Sequence, residues 1–233
     1  MHILFLSQVL PYPLDAGPKM RSYYVLRHLV QKHQVTLLTF VRDTDSPEHI
    51  AHLAEFCHAV HTVPMQRSKV REVKFLLQSF AGQKPFLITR DYVPAMIETL
   101  QQLTDNTFFD VVHADQLWMA EYALAAKAIQ PTAKLVIDKH NAVHHIPQRL
   151  AHDEKNFLKR QLLLREARLM ASFEPEVCQQ FDHTVWVTDI DRQAVTPKST
   201  SNGYSSSTVI PICVNPHQVT PIERNPKAAV SLS

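Results

Sequence analysis

Short apolar runs alternate with helical patterns along most of this chain, and that alternation leaves few folds open. Residues 2–7 (HILFLS) and 35–41 (VTLLTFV) are nearly unbroken apolar or β-branched runs, as expected of strands buried on both faces. Shorter runs of the same kind occupy 59–63, 109–113, 134–138, 184–188 and 208–210. Between them, Tyr23, Leu26 and Val30 recur at i, i+3 and i+7 of a helix. Ser46 before Pro47 reads as an N-cap with proline in the first turn. Further helices are expected over 68–81 and 90–104, on either side of Pro85, and over 116–129. A long charged helix is expected over 148–180, bent near Pro175, and a short one over 189–195. Strands alternating with helices predict an α/β fold: a Rossmann-like parallel sheet with helices on both faces and right-handed crossovers.

The chain has 233 residues, 45% of them hydrophobic, enough for one large core or two small ones. Residues 1–210 read as one domain, with a polar loop carrying Gly203 over 199–207. Residues 211–228 hold Pro211, Pro216, Pro221 and Pro226 and read as an interdomain linker. Residues 229–233 read as the start of a truncated second domain, or as a frayed tail. The net charge of +2 demands no polyanionic partner, and the basic residues form no strong patch, so nucleic-acid binding is not expected. Cys57, Cys178 and Cys213 are odd in number and far apart, which suits reduced thiols in a cytosol. No charged leader or cleavage site opens the chain, and no apolar stretch approaches membrane-spanning length.

Glycine is scarce: 3 residues, where average usage of about 7% predicts roughly 16. Gly17 lies between the first strand and the first helix, in a loop with Pro11, Pro13 and Pro18. In parallel sheets that loop faces the ligand crevice, where helix amides can hold phosphate. An ordinary turn glycine is the alternative. A dinucleotide-dependent oxidoreductase is excluded, because no Gly-x-Gly-x-x-Gly exists.

Five stretches, in order, resemble the N-terminal domain of family 4 glycosyltransferases, the two-domain retaining enzymes of GT-B architecture. They are ILFLS at 3–7 leading to PYPLDAG at 11–17, FDVVH at 109–113, LVIDKHN at 135–141, FDHTVWVTDID at 181–191, and VIPICVN at 209–215. Ala16 stands where many members have a first glycine, and Ile212 and Cys213 replace an Asn-Gly pair. The resemblance implies the N-terminal half of a GT-B fold with the C-terminal domain absent. In that family the absent domain carries a Glu-x7-Glu motif. Glu166 and Glu174 have its spacing, but lie about 80° apart on a helix, so the match reads as accidental.

The resemblance also suggests site residues. Gly17 would bring its amide to a donor diphosphate, where a side chain would block the approach. Lys19 and Arg21 would add positive charge to that donor site, or are simply solvated at the helix start. His140, just past a strand end, would contact the transferred sugar or the acceptor, since imidazole bonds hydroxyls and moves protons near neutral pH. A structural loop histidine is the alternative. His113 and Asp115 share the crevice side and are candidate substrate contacts. Asn141 would bond sugar hydroxyls or cap the next helix. His140, His144 and His145 are not expected to bind metal, because Pro147 suggests a loop and no further ligand motif completes the set.

The expected function is thus the acceptor-side domain of a cytoplasmic glycosyltransferase. No cofactor is implied beyond a nucleotide-diphosphate sugar as donor substrate. The whole enzyme would transfer a sugar with retention to a glycan or lipid-linked acceptor, in cell-envelope or exopolysaccharide synthesis. Residues 1–233 alone should be inactive. The alternative is a non-catalytic fragment, or a binding half that docks a separate donor domain. The stretch 67–80 pairs basic with apolar residues, which suits peripheral contact with the inner face of a membrane or a core-facing helix with a solvated basic side.

Overall fold

The computed structural model describes residues 1–65, 69–196 and 206–212, the side chains of 69–74 excepted. The expected linker beyond residue 212, the expected second-domain start and most of the 199–207 loop lie outside these residues. Seven parallel strands form one sheet in the order β3-β2-β1-β4-β5-β6-β7. They are β1 His2–Ser7, β2 Gln34–Val41, β3 Ala59–Pro64, β4 Val111–Asp115, β5 Lys134–Lys139, β6 His183–Trp186 and β7 Ser206–Val209. The expected α/β architecture is therefore the observed one.

Right-handed crossovers explain the two faces. From β1 the chain steps one way through α1 (Gly17–Leu29) and α2 (Pro47–Ala54), so both cover the same face. Leu26 and Leu53 pack there against Ile3, Phe5, Val35 and Leu37. From β3 the chain crosses back to β4 and then continues away through β5 and β6, so the helices on those crossovers cover the opposite face. That core joins Leu4, Leu6, Leu38 and Phe40 to Met96 and Leu100 of α5 (Pro94–Asn106), Ala123 of α6 (Ala120–Ile129) and Met170 of α8 (Phe157–Cys178).

Local chemistry moves several boundaries. Between β3 and β4, α3 (Lys69–Gly82) is followed by a short extra helix, α4 (Phe86–Arg90). Glu166 accepts the backbone N–H groups of Phe86 at 2.9 Å and Leu87 at 2.8 Å, so a carboxylate from α8 caps that turn. The helix expected from 90 starts at Pro94, where proline suits the first turn. The strand expected at 109–113 runs two residues later, to Asp115. The helix expected from 116 begins as a 3-10 turn, Leu117–Met119.

The single helix expected over 148–180 is two helices. Asp153 ends α7 (His145–Asp153), Glu154 is extended, and Asn156 caps α8 by accepting the Lys159 N–H at 3.1 Å. Pro147 lies in the first turn of α7, not in a loop, because proline's missing N–H is harmless there. Thr188 caps α9 (Asp189–Val195), whose bounds match the expected ones.

Candidate active site

The C-terminal ends of β1, β4 and β5 bring Ser7, Asp115 and Asp138 into register. In parallel sheets this edge is where ligand sites form. Asp115 is buried, and its Oδ2 accepts from the Ser7 hydroxyl at 2.9 Å and the Ser22 hydroxyl at 2.6 Å. Its Oδ1 lies 3.0 Å from His140 Nε2. Burial pushes the Asp115 carboxyl up, but the His140 ring and the Ser22 hydroxyl outweigh it and hold the group below its ordinary value. Asp115 is therefore a carboxylate and can only accept. Nε2 of His140 must carry the hydrogen, which in a neutral ring leaves Nδ1 with a free lone pair. No partner engages Nδ1 among the described residues, and a tenth of the side chain remains open.

The turn that carries His140 is held from two sides. Glu174 of α8 accepts from the His144 N–H at 2.6 Å and from Lys139 Nζ at 2.8 Å, and both charged side chains are fully buried. Burial alone would raise the Glu174 carboxyl, but Lys139 and His144 bring it down to about 2. On the other side, Asp191 of α9 accepts the Ala142 N–H at 2.9 Å. Glu166 and Glu174 thus serve a backbone cap and a buried ion pair.

Arg21 is buried, contrary to a solvated helix start. Its Nε reaches both Asp138 oxygens at 2.9 and 3.1 Å, and its Nη1 donates to the Ile210 carbonyl at 2.8 Å. Lys19 pairs with Asp15 at 3.0 Å on the rim. Gly17 is the exposed first residue of α1 and has no positive φ; a Cβ there would meet nothing within 4 Å. The protein's own packing does not demand glycine at this position. Ala16 offers no side-chain cap and the first turn holds no acidic residue, so among the described residues no side chain caps the amides of Gly17 and Lys19.

His113 lies one pleat below Asp115, stacked on Phe5 with ring centres 4.6 Å apart. Burial pushes its imidazole down, so it is neutral near pH 7. Its Nε2 has no partner among the described residues. Asn141 is exposed and does not cap α7, whose N-cap is His144. The structure thus gathers His140, Asp115 and Asn141 at one edge, sets His113 beneath them, and commits Arg21 to Asp138.

Asp115, Asp138 and His140 bring potential metal-ligand atoms within 4.8 Å of one another. The Arg21 guanidinium already occupies both Asp138 oxygens, so an ion would have to displace it. Lys139, Asp138, Ser7, Ser22, Glu174 and Asp191 were not among the sequence-predicted site residues. Ser7, Asp138, Lys139 and Asp191 lie within the family-like stretches, but nothing in those stretches signals their partners.

No family model and no curated protein matches this chain. Solved structures do. Phytolacca americana UGT2, bound to UDP-2fluoro-glucose and pterostilbene, aligns with TM-score 0.52 at 10% identity, over 93% of this chain and 56% of that one. Medicago truncatula UGT71G1, bound to UDP-glucose, aligns with TM-score 0.51 at 8% identity, over 90% of this chain and 51% of that one. This chain therefore spans about half the length of the structures it matches. At such identities the likeness is one of fold, and the described residues take the Rossmann-like α/β fold found in GT-B glycosyltransferases.

Proposed function

We propose that this chain is the acceptor-side half of a nucleotide-diphosphate-sugar-dependent glycosyltransferase, with His140 as the group that engages the reacting hydroxyl. The observation that carries the reading is the pair of Asp115 and His140 at the strand ends of a GT-B-like sheet. A carboxylate-held imidazole can accept a hydrogen bond or a proton from a sugar hydroxyl. Asn141 is placed to bond neighbouring hydroxyls. Gly17 and Lys19 offer two free amides at the α1 start for the donor diphosphate, and the Lys19 ammonium adds charge beside them. Arg21 contributes by fixing Asp138 rather than by reaching the donor. His113 supports the site from below as a neutral ring.

The family 4 motifs add the finer reading: transfer with retention, onto a glycan or lipid-linked acceptor of envelope or exopolysaccharide synthesis, in the cytoplasm. Domain 1–210 would be followed by a linker over 211–228 and a second domain from 229. The test is sugar transfer by the polypeptide as its source cells make it, followed by NMR of the product anomer. Retained configuration with loss of transfer in His140→Ala supports the reading, and undiminished transfer in that variant refutes the role of His140.

A second reading, a binding half that docks a separate donor domain, has one observation in its favour. Beside α1, a groove of about 630 Å³ is lined by Val111, Val136, Val185, Ile210 and Pro211. The crossover rule sends the later helices to the opposite face, so among the described residues no helix covers this stretch of sheet. Co-purification of a donor-domain polypeptide with an intact 26.7 kDa chain would favour this reading.

A further inference from the structure

Three helices expose apolar stripes on one surface. On α7, Leu150 is 57% exposed; on α8, Phe157 and Leu158 are 69% and 72% exposed; on α3, Leu77 is 66% exposed. The stripes adjoin one another. Arg165 of α8 stacks over the Phe80 ring of α3 at 4.1 Å and donates to the Ser79 carbonyl at 2.7 Å. Leu76, Leu150 and Leu162 then line a single apolar trough of about 500 Å³ between the three helices. Leu158 lies one helical turn before Leu162, so the exposed start of α8 continues the trough's apolar lining, and a continuous exposed apolar surface of this kind marks a meeting with an apolar phase or partner.

The surrounding charge selects the phase. Over residues 145–168 there are six Lys and Arg against three Asp and Glu, and one of the three acids, Glu166, is buried in its backbone cap. Lys155, Lys159 and Arg160 are exposed immediately beside Phe157 and Leu158. Apolar side chains fringed by cations on a helix start suit an interface of acyl chains below and anionic headgroups above. We propose that the α7–α8 corner, with the end of α3, docks this protein on an anionic lipid bilayer. Of the stretch 67–80 expected to contact a membrane, residues 67 and 68 and the side chains of 69–74 lie outside the described residues; Leu76, Leu77 and Phe80 belong to this surface, together with the pair of helices that follows the His140 turn. No helix among the described residues is long and apolar enough to cross a membrane, so the contact is peripheral. The proposal does not rest on the transferase reading.

The test is flotation of the whole polypeptide with vesicles about one-third phosphatidylglycerol in phosphatidylcholine, against phosphatidylcholine alone. Wild type should float with the anionic vesicles. The double variant Phe157→Ser, Leu158→Ser removes mostly exposed atoms, so its melting temperature should change little while its vesicle affinity falls about tenfold or more. Lys159→Glu with Arg160→Glu should abolish the preference for anionic vesicles. Wild type failing to float, or the serine variant floating as wild type does, overturns the proposal. So does a wild-type dimer that the serine variant converts to monomer without any vesicle binding, because the patch then joins two copies of this chain.

Discussion

Asp115 Oδ1 and His140 Nε2 lie 3.0 Å apart, joining the end of β4 to the turn after β5 across the mouth of the sheet. The carboxylate fixes which ring nitrogen carries the hydrogen. Replacing Asp115 by Asn removes the charge that holds the imidazole. Transfer by the complete enzyme should fall about hundredfold or more, within the range general acid–base groups contribute. Steady-state rates with saturating donor, compared with thermal melting, separate this loss from unfolding.

Gly17 offers a contrasting case. A methyl group there meets open space, and alanine restricts the unfolded chain more than glycine does. Gly17→Ala should leave stability unchanged or raise it by up to about 1 kcal/mol. If the Gly17 amide approaches a donor diphosphate, the same substitution should raise the donor KM about tenfold. Urea unfolding and donor titration together check both halves.

Arg21 is expected to matter for folding before binding. Its guanidinium and the Asp138 carboxylate are almost wholly buried, with 3% and 2% of their side chains exposed. Removing one partner of such a pair costs about 3–5 kcal/mol, because the other charge is left in the interior. Arg21→Ala should therefore lower the urea midpoint sharply. Unchanged stability with weakened donor binding would instead make Arg21 a donor ligand.

Glu174 sets an acid limb. Its carboxyl falls from an unfolded value of 4.5 to about 2 in the fold. A depressed carboxyl stabilises the fold above the unfolded value, and the contribution is lost as pH falls from about 4.5 toward 2. That shift corresponds to about 3 kcal/mol. Glu174→Gln should start less stable at neutral pH and lose less on acidification, as read by urea midpoints across the acid range.

Much of the sheet was legible because buried parallel strands read as unbroken apolar runs, as in residues 35–41. The break between α7 and α8 was hidden by charge on both sides of it, although Asn156 is an N-cap residue in plain view. At the site, His140 and Asp115 were legible from their places at strand ends. Their partners were not. Arg21 meets Asp138 across 117 positions of sequence, and Lys139 meets Glu174 across 35. Only the strand register and the seating of α1 and α8 bring these pairs together. Pro147 misled for a simpler reason: in a first turn it needs no loop.

The most direct test of the central claim is transfer of labelled sugar from a panel of nucleotide-diphosphate sugars to membranes of the source cells. The native polypeptide and its His140→Ala variant are compared. The account expects transfer from at least one donor, reduced about hundredfold or more in the variant, in line with loss of a general acid–base group. No transfer from any donor, or equal transfer by both proteins, would contradict it.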